Sequence, residues 1–173
     1  MIDKAMDMLL SPKPPHLSCG VDASFFRIND DWGFKFFDAY ESYRARNSYD
    51  LQKKAHAAGL APAVGAYQEI TLDGPIKTTC GRNDKYTRYV NGTIFGYITE
   101  CVTETIKDRY NENIDAVKND ALKSSLYYPR IVDGYNDLEK GLKSLFGMVC
   151  DLHWENAGWL KNGSLVCIDF SQY

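Results

Sequence analysis

The hydrophobic pattern changes period once along the chain, and that change constrains the architecture more than any other feature. Up to about residue 102 the apolar residues sit in short β-prone runs bounded by turn residues: LSCGVDASFFRI, then Asn29-Asp30-Asp31, then WGFKFF. From Thr103 onward Ile106, Tyr110, Ile114 and Val117 recur every three or four residues among charges, which describes an amphipathic helix. Strands followed by helices indicate an α+β protein, and the position of the switch predicts two unequal lobes meeting near residues 100 to 103. The first lobe is expected to be mainly antiparallel sheet with one helix, and the second a reduced helical unit. At 173 residues the chain is long enough to bury a real core.

Individual elements follow from local signals. After the Pro-rich stretch from Pro12 to Pro15, residues Leu17 to Phe37 read as two or three antiparallel strands. The segment DAYESYRARNSYDLQKKAHAAG carries apolar residues at Tyr40, Tyr43, Leu51, Ala55 and Ala58, ends on Gly59 and is followed by Pro62, which predicts a helix with a stop signal and a looser first half. Strands are expected at Val64 to Ile70, Tyr86 to Val90 and Thr93 to Val102, with turns at Asp73-Gly74-Pro75 and Asn91-Gly92; the Asn-Gly pair predicts a hairpin. A second helix carries the stripe Ile131, Tyr135, Leu138, Leu142, Leu145 and Val149 and should be buried. The closing SLVCIDF run, after a Lys161-Asn162-Gly163 turn, reads as a short hairpin with the WL ahead of it.

Composition narrows the partners. Lys and Arg number 20 against 23 Asp and Glu, a net charge of −3, so no excess of positive charge announces a nucleic acid or an anionic membrane. No apolar run reaches membrane-spanning length. The five cysteines, Cys19, Cys80, Cys101, Cys150 and Cys167, are odd in number and lack C-x-x-C or metal spacing, so free thiols and a cytoplasmic location are expected. In that compartment the sequons at Asn91 and Asn162 carry no weight.

The closing segment holds the chemistry. Asp151, Asn156 five residues on, and Asp169 in the run VCIDF supply two carboxylates and an amide, hard oxygen donors that suit magnesium. Phosphoryl transfer needs such a set, because it depends on positioning and charge neutralisation with one carboxylate orienting the attacking hydroxyl.

D-L-H-W-E-N followed by C-I-D-F resembles the catalytic loop and metal-binding loop of the protein-kinase-like superfamily, nearer its aminoglycoside-phosphotransferase and small bacterial or phage kinase-like branch than standard eukaryotic kinases. The resemblance implies that Asp151 is the catalytic base and that Asn156 and Asp169 are metal ligands. Lys35, in the strand-like WGFKFF fifteen residues after Gly20, matches the family's strand lysine, which contacts the nucleotide phosphates. Gly20, Ala23 and Ser24 resemble a reduced phosphate-covering loop, where small side chains let backbone amides approach phosphates. YITECV resembles the hinge, with Thr99 as gatekeeper and Glu100 to Val102 offering backbone groups to an adenine edge. For the helix carboxylate that pairs with the strand lysine, the register falls between Ser48 and Gln52; Asp50 is the nearest carboxylate, and Gln52 offers a hydrogen bond instead.

The sequence departs from the pattern in three places. Val149 stands where the family has a histidine before the catalytic aspartate, Ser171 stands where D-F is followed by glycine, and the chain stops at Tyr173, so the resemblance covers residues 17 to 173 and only the N-terminal part of a full kinase fold. The implied organisation is an N-terminal extension over 1–16, an N-lobe over 17–102 and a minimal C-lobe over 103–173, with a second copy of the chain or another protein replacing the missing part. The leading expectation is an ATP- and magnesium-dependent phosphotransferase acting on a hydroxyl of a protein or small molecule; the alternative is a catalytically inactive module that binds nucleotide or protein. Taken singly, each feature has a plainer reading: a strand lysine usually points to solvent, His153 is more often structural than catalytic, and Cys101 and Cys150 are more often packing residues than nucleophiles. An unrelated α+β domain carrying all of them in this order is the third possibility.

Overall fold

The computed structural model describes residues 1–19, 23–80, 86–112, 133–148 and 152–170. Among them, five strands form one antiparallel sheet in the order β1-β2-β3-β7-β4: β1 (Ser18–Cys19), β2 (Ser24–Arg27), β3 (Trp32–Phe37), β7 (Thr93–Glu100) and β4 (Val64–Thr71). Between β3 and β4 the chain makes a 3-10 turn (Ala39–Glu41) and then the helix α2 (Ser42–Ala57). The irregular part is shorter than the looser first half that the sequence suggested, because regular helix begins already at Ser42. The helix stops at the expected signal: Gly59 adopts φ 74°, its amide donates to His56, and the Leu60 amide donates to Ala55. Those bonds satisfy the last helical carbonyls, and only glycine takes that backbone conformation without strain.

Both faces of the sheet are covered, which is why the burial of β3 does not alternate. On one face Phe26, Phe34, Phe36, Ile94 and Ile98 pack against Ala5 and Leu9 of an N-terminal helix, α1 (Ile2–Leu9). Phe34 and Phe36 stack with centroids 5.7 Å apart, and Phe26 meets Phe34 edge-on at 5.9 Å. On the other face Phe37 and Tyr97 pack against Ala45 and Tyr49 of α2. Gly96 is needed where β3 and β7 cross: a Cβ there would lie 2.6 Å from the Lys35 carbonyl and 2.6 Å from the Phe34 ring.

The Asn91-Gly92 expectation needs correction. The pair joins β6 (Tyr86–Val90) to β7, but β6 pairs with β5 (Ile76–Cys80), and β7 pairs with β3 and β4. β5 and β6 form a two-stranded ribbon inserted between β4 and β7, and the Leu72 amide donates to the Gly92 carbonyl where the ribbon leaves the sheet. Asn-Gly reports a tight reversal; here the reversal redirects the chain from the ribbon into the main sheet.

Beyond β7, β8 (Glu104–Thr105) leads into α3 (Ile106–Glu112), and α4 (Tyr135–Phe146) precedes the expected hairpin of β9 (Ala157–Trp159) and β10 (Leu165–Cys167). β8 adds to β9, giving a three-stranded antiparallel sheet. Tyr135, Leu138 and Leu142 of α4 are buried with Ile106, Ala157, Cys167 and Phe170, whereas Leu145 is half-buried. Ile114, Val117, Ile131 and Val149 lie outside the described residues. The chain is thus an α+β structure with antiparallel sheets and few helices. No helix among the described residues is long and apolar enough to cross a membrane.

Candidate functional site

Lys35 sits on the α2 side of β3, directly opposite Tyr97 of β7 in the ladder. Its neighbours in sequence, Phe34 and Phe36, point to the apolar face, so the alternation of the strand alone decides that the lysine faces α2. The side chain does not reach solvent: the residue is 6% exposed. Its Nζ donates to Asp169 Oδ1 at 2.8 Å, joining positions 134 residues apart. Burial opposes the ammonium most strongly, but Tyr97 and Asp169 outweigh it and raise the Lys35 pKa above its usual 10.5.

The hairpin delivers Asp169 to this point. The Cys167 amide donates to Leu60 O at 2.9 Å, and the Ile168 amide donates to Asn156 O at 2.9 Å. The Cys167 thiol donates to Asp169 O at 3.4 Å, and Phe170 is fully buried edge-on against Phe146. Asp169 is therefore held between an anchored strand end and a buried ring, with its carboxylate about one-third exposed beside the lysine. The bond from Ile168 also fixes Asn156 next to Asp169. The loop ahead of it is tied by Tyr135, whose hydroxyl donates to Leu152 O at 2.7 Å. His153 has a structural role here: its Nδ1 accepts from the Glu155 amide at 3.2 Å.

The other expected residues divide into groups. Thr99 pairs with Gly33 of β3 and lies on the Lys35 face, buried, its Oγ1 accepting from Gln52 Nε2 at 2.8 Å. Glu100 turns its carboxylate to the Ala63 amide at 3.2 Å, and its own amide donates to Ala63 O at 2.9 Å. The Val102 carbonyl accepts from Arg27 Nη2 at 2.7 Å, while among the described residues its amide donates to no protein acceptor. Ala23 packs with Phe37 and Tyr97 on the Lys35 face. Ser24 does not join it: paired with Phe36, it lies on the opposite face and is fully buried, and Phe25 is the residue placed across from Lys35. Gly20 and Asp151 lie outside the described residues.

Asp50 is a correction. It is exposed on α2 and its Oδ2 accepts from Arg46 Nε at 3.1 Å. The inward positions of the helix are Ala45, Ser48, Tyr49, Gln52 and Ala55. At 100° per residue, Asp50 is rotated about 200° from Gln52, so a carboxylate there turns its back on the sheet. Gln52 is the residue inside. Its Oε1 accepts from the Tyr97 hydroxyl at 3.1 Å, and that hydroxyl lies 3.0 Å from Ser48 Oγ. Sequence reasoning overlooked Tyr97 and Ser48. The available signals were spacings: Tyr97 and Thr99 share a strand face at i, i+2, and Ser48 and Gln52 share a helix face at i, i+4.

Asn156 and Asp169 offer an amide oxygen and a carboxylate. Hard oxygens from one or two side chains suit magnesium, which commonly keeps waters and phosphate oxygens as its remaining ligands. Among the described residues no three His, Cys, Asp or Glu side chains gather into a fuller cage. Cys101 is buried, and that burial pushes its thiol pKa up, as befits a packing residue. Comparison of the chain with protein-family models, curated proteins and solved structures finds no match.

Proposed function

We propose that this chain is an ATP- and magnesium-dependent phosphotransferase of compact, two-lobed kinase-like form, moving the γ-phosphate to a hydroxyl of a protein or small molecule. The observation that carries this reading is the ion pair between Lys35 and Asp169, a strand lysine and a hairpin aspartate brought together from far apart in sequence. A buried cation beside a partly exposed carboxylate is a poor device for stability, since desolvation consumes most of the attraction. It is a good device for holding phosphate oxygens and a divalent cation side by side.

In this reading Lys35 holds the nucleotide phosphates, with Gly20 and Ala23 above them. Thr99, Glu100 and Val102 border the base, whose edge would meet the Val102 amide. Asn156 and Asp169 would hold magnesium, which when bound neutralises charge on the phosphate oxygens. Asp151 orients the acceptor hydroxyl. Incubation with radiolabelled ATP and magnesium, alone and with lysate, followed by separation of labelled proteins from labelled metabolites, tests activity and acceptor class together. Absence of magnesium-dependent label in both fractions would overturn the reading.

A second reading has its own support. The inward face of α2 presents the amide of Gln52 where a carboxylate was expected, and Lys35 is paired with Asp169 itself. That arrangement suits a silent module that binds nucleotide or protein without transfer. Thermal unfolding with millimolar ATP, with and without magnesium, separates the two: stabilisation by ATP that is indifferent to magnesium, or none at all, favours the silent module.

A further inference from the structure

The hydrogen bonds around Tyr97 have only one self-consistent direction. The Tyr97 hydroxyl donates to Gln52 Oε1 at 3.1 Å, and the Gln52 amide in turn directs Nε2 at Thr99 Oγ1 and Pro62 O, at 2.8 and 3.4 Å. A phenol has one proton and two lone pairs. With its proton on Gln52, the Tyr97 oxygen must accept from Ser48 Oγ, 3.0 Å away. Thr99, accepting from Gln52, directs its own proton to Glu100 O at 3.4 Å. The chain of donors therefore runs Ser48, Tyr97, Gln52, Thr99, and ends on the Glu100 carbonyl at the end of β7.

One acceptor site on the Tyr97 oxygen remains, and Lys35 is the cation buried on the same face of the sheet. The two residues are direct partners across the β3–β7 ladder, their side chains are on the same face of the sheet, and both are buried there. Tyr97 is fully buried, with its ring held against Tyr49 at 5.3 Å, so its oxygen has a fixed position. No carboxylate competes for this role on α2, because Asp50 is the one acidic residue between Ser42 and Ala57 and it faces away.

We propose that Tyr97, oriented by Ser48 and Gln52, is the positioning residue that aims the Lys35 ammonium at Asp169 and its surroundings, the task a helix carboxylate would otherwise perform. A neutral oxygen does this with a different consequence: it directs the ammonium without neutralising it, leaving its full charge for Asp169 and for an anionic ligand. The relevance to nucleotide rests on the reading given under Proposed function; the positioning itself does not.

The test uses the full chain and Tyr97→Phe, which keeps the ring and removes the oxygen. The ε-ammonium resonance of Lys35, observed by ¹⁵N NMR and assigned by its loss in Lys35→Met, is expected to exchange with water about tenfold faster in Tyr97→Phe, and the Kd for magnesium-ATP to rise about tenfold, the effect of one hydrogen bond to a charged group. Ser48→Ala removes a bond to Tyr97 without touching Lys35, and should shift both readouts in the same direction by roughly threefold. This variant decides the question if Tyr97→Phe does not fold. Unchanged ammonium exchange in the folded variants would overturn the proposal. If the wild-type chain binds no magnesium-ATP, the phosphotransferase reading falls, while the exchange measurement still decides whether Tyr97 positions Lys35.

Discussion

The two faces of the five-stranded sheet solve the same burial problem with different chemistry. Under α1, Phe26, Phe34, Phe36, Ile94 and Ile98 exclude water with apolar surface, and the buried Ser24 adds one small hydroxyl to that face. Under α2 the same strands bury Lys35, Tyr97 and Thr99 against Ser48 and Gln52. Each buried polar group needs a partner with good geometry, and a face built only for stability has no reason to accept that constraint. The apolar face is thus the scaffold, and the polar face is where the molecule accepts a thermodynamic cost in exchange for a directed cation.

The largest expected difference is in nucleotide binding. Asp169→Asn and Lys35→Met should each abolish the magnesium-dependent thermal stabilisation by ATP. Lys35→Met should move the unfolding free energy by no more than about 1 kcal/mol, since Asp169 can be solvated once its partner is gone. Asp169→Asn, which leaves the buried Lys35 ammonium without a carboxylate, should cost about 3–5 kcal/mol. Urea titrations with and without the ligand check both halves. Phe34→Ala should invert the Lys35→Met profile, costing about 3–5 kcal/mol in the same titrations while leaving nucleotide affinity per folded molecule intact. Equal losses of affinity from both faces would erase the distinction.

A smaller effect is expected in alkali. Lys35 keeps its proton to higher pH in the folded chain than in the unfolded chain, because Tyr97 and Asp169 overcome the opposing cost of burial. Its contribution is therefore complete below its usual 10.5 and is lost as pH rises through the folded value. Tyr97 resists ionisation chiefly because it is buried, so above its usual 10.0 it also favours the unfolded chain. Both slopes have the same sign: the urea midpoint should fall above about pH 10, and less steeply in Lys35→Met and Tyr97→Phe than in the wild type. The smallest effect should come from Asp50→Asn, within about 0.5 kcal/mol and without influence on nucleotide, because its i, i+4 partner Arg46 is on the exposed side of α2. A loss of binding in that variant would return the helix carboxylate to the site.

Much of the fold was legible because it rests on local signals. Strand alternation, the Gly59 stop and the apolar stripe of α4 each act within a few residues. The helix α1 was missed because Asp3, Lys4 and Asp7 interrupt the apolar residues, although Ile2, Ala5, Met6 and Leu9 keep the helical spacing. The ribbon was missed because Asn-Gly specifies a reversal and says nothing about which sheet receives the next strand. At the site, Lys35 and Asp169 were singled out by the resemblance of WGFKFF and VCIDF to family motifs, while the flanking phenylalanines alone would have left Lys35 pointing to solvent. Gln52 over Asp50 was a question of helix phase, which depends on which side of α2 the sheet occupies. The Tyr97 hydroxyl becomes visible only when β3 and β7 are in register, a contact across more than sixty positions that no local pattern encodes.

The turn between β2 and β3 touches both sides of the linker formed by residues 101–103, between β7 and β8. Asp31 receives the Cys101 amide on its carbonyl at 2.7 Å and Lys161 on its carboxylate, while the next linker amide but one, Thr103, is bound to Trp159 O at 2.7 Å. Mechanically this is a brace: the main sheet and the closing hairpin are stitched to the same three residues from opposite sides. Rotation about the linker would have to pivot on these short bonds, which favours a stiff frame with small angular excursions over a wide jaw-like opening.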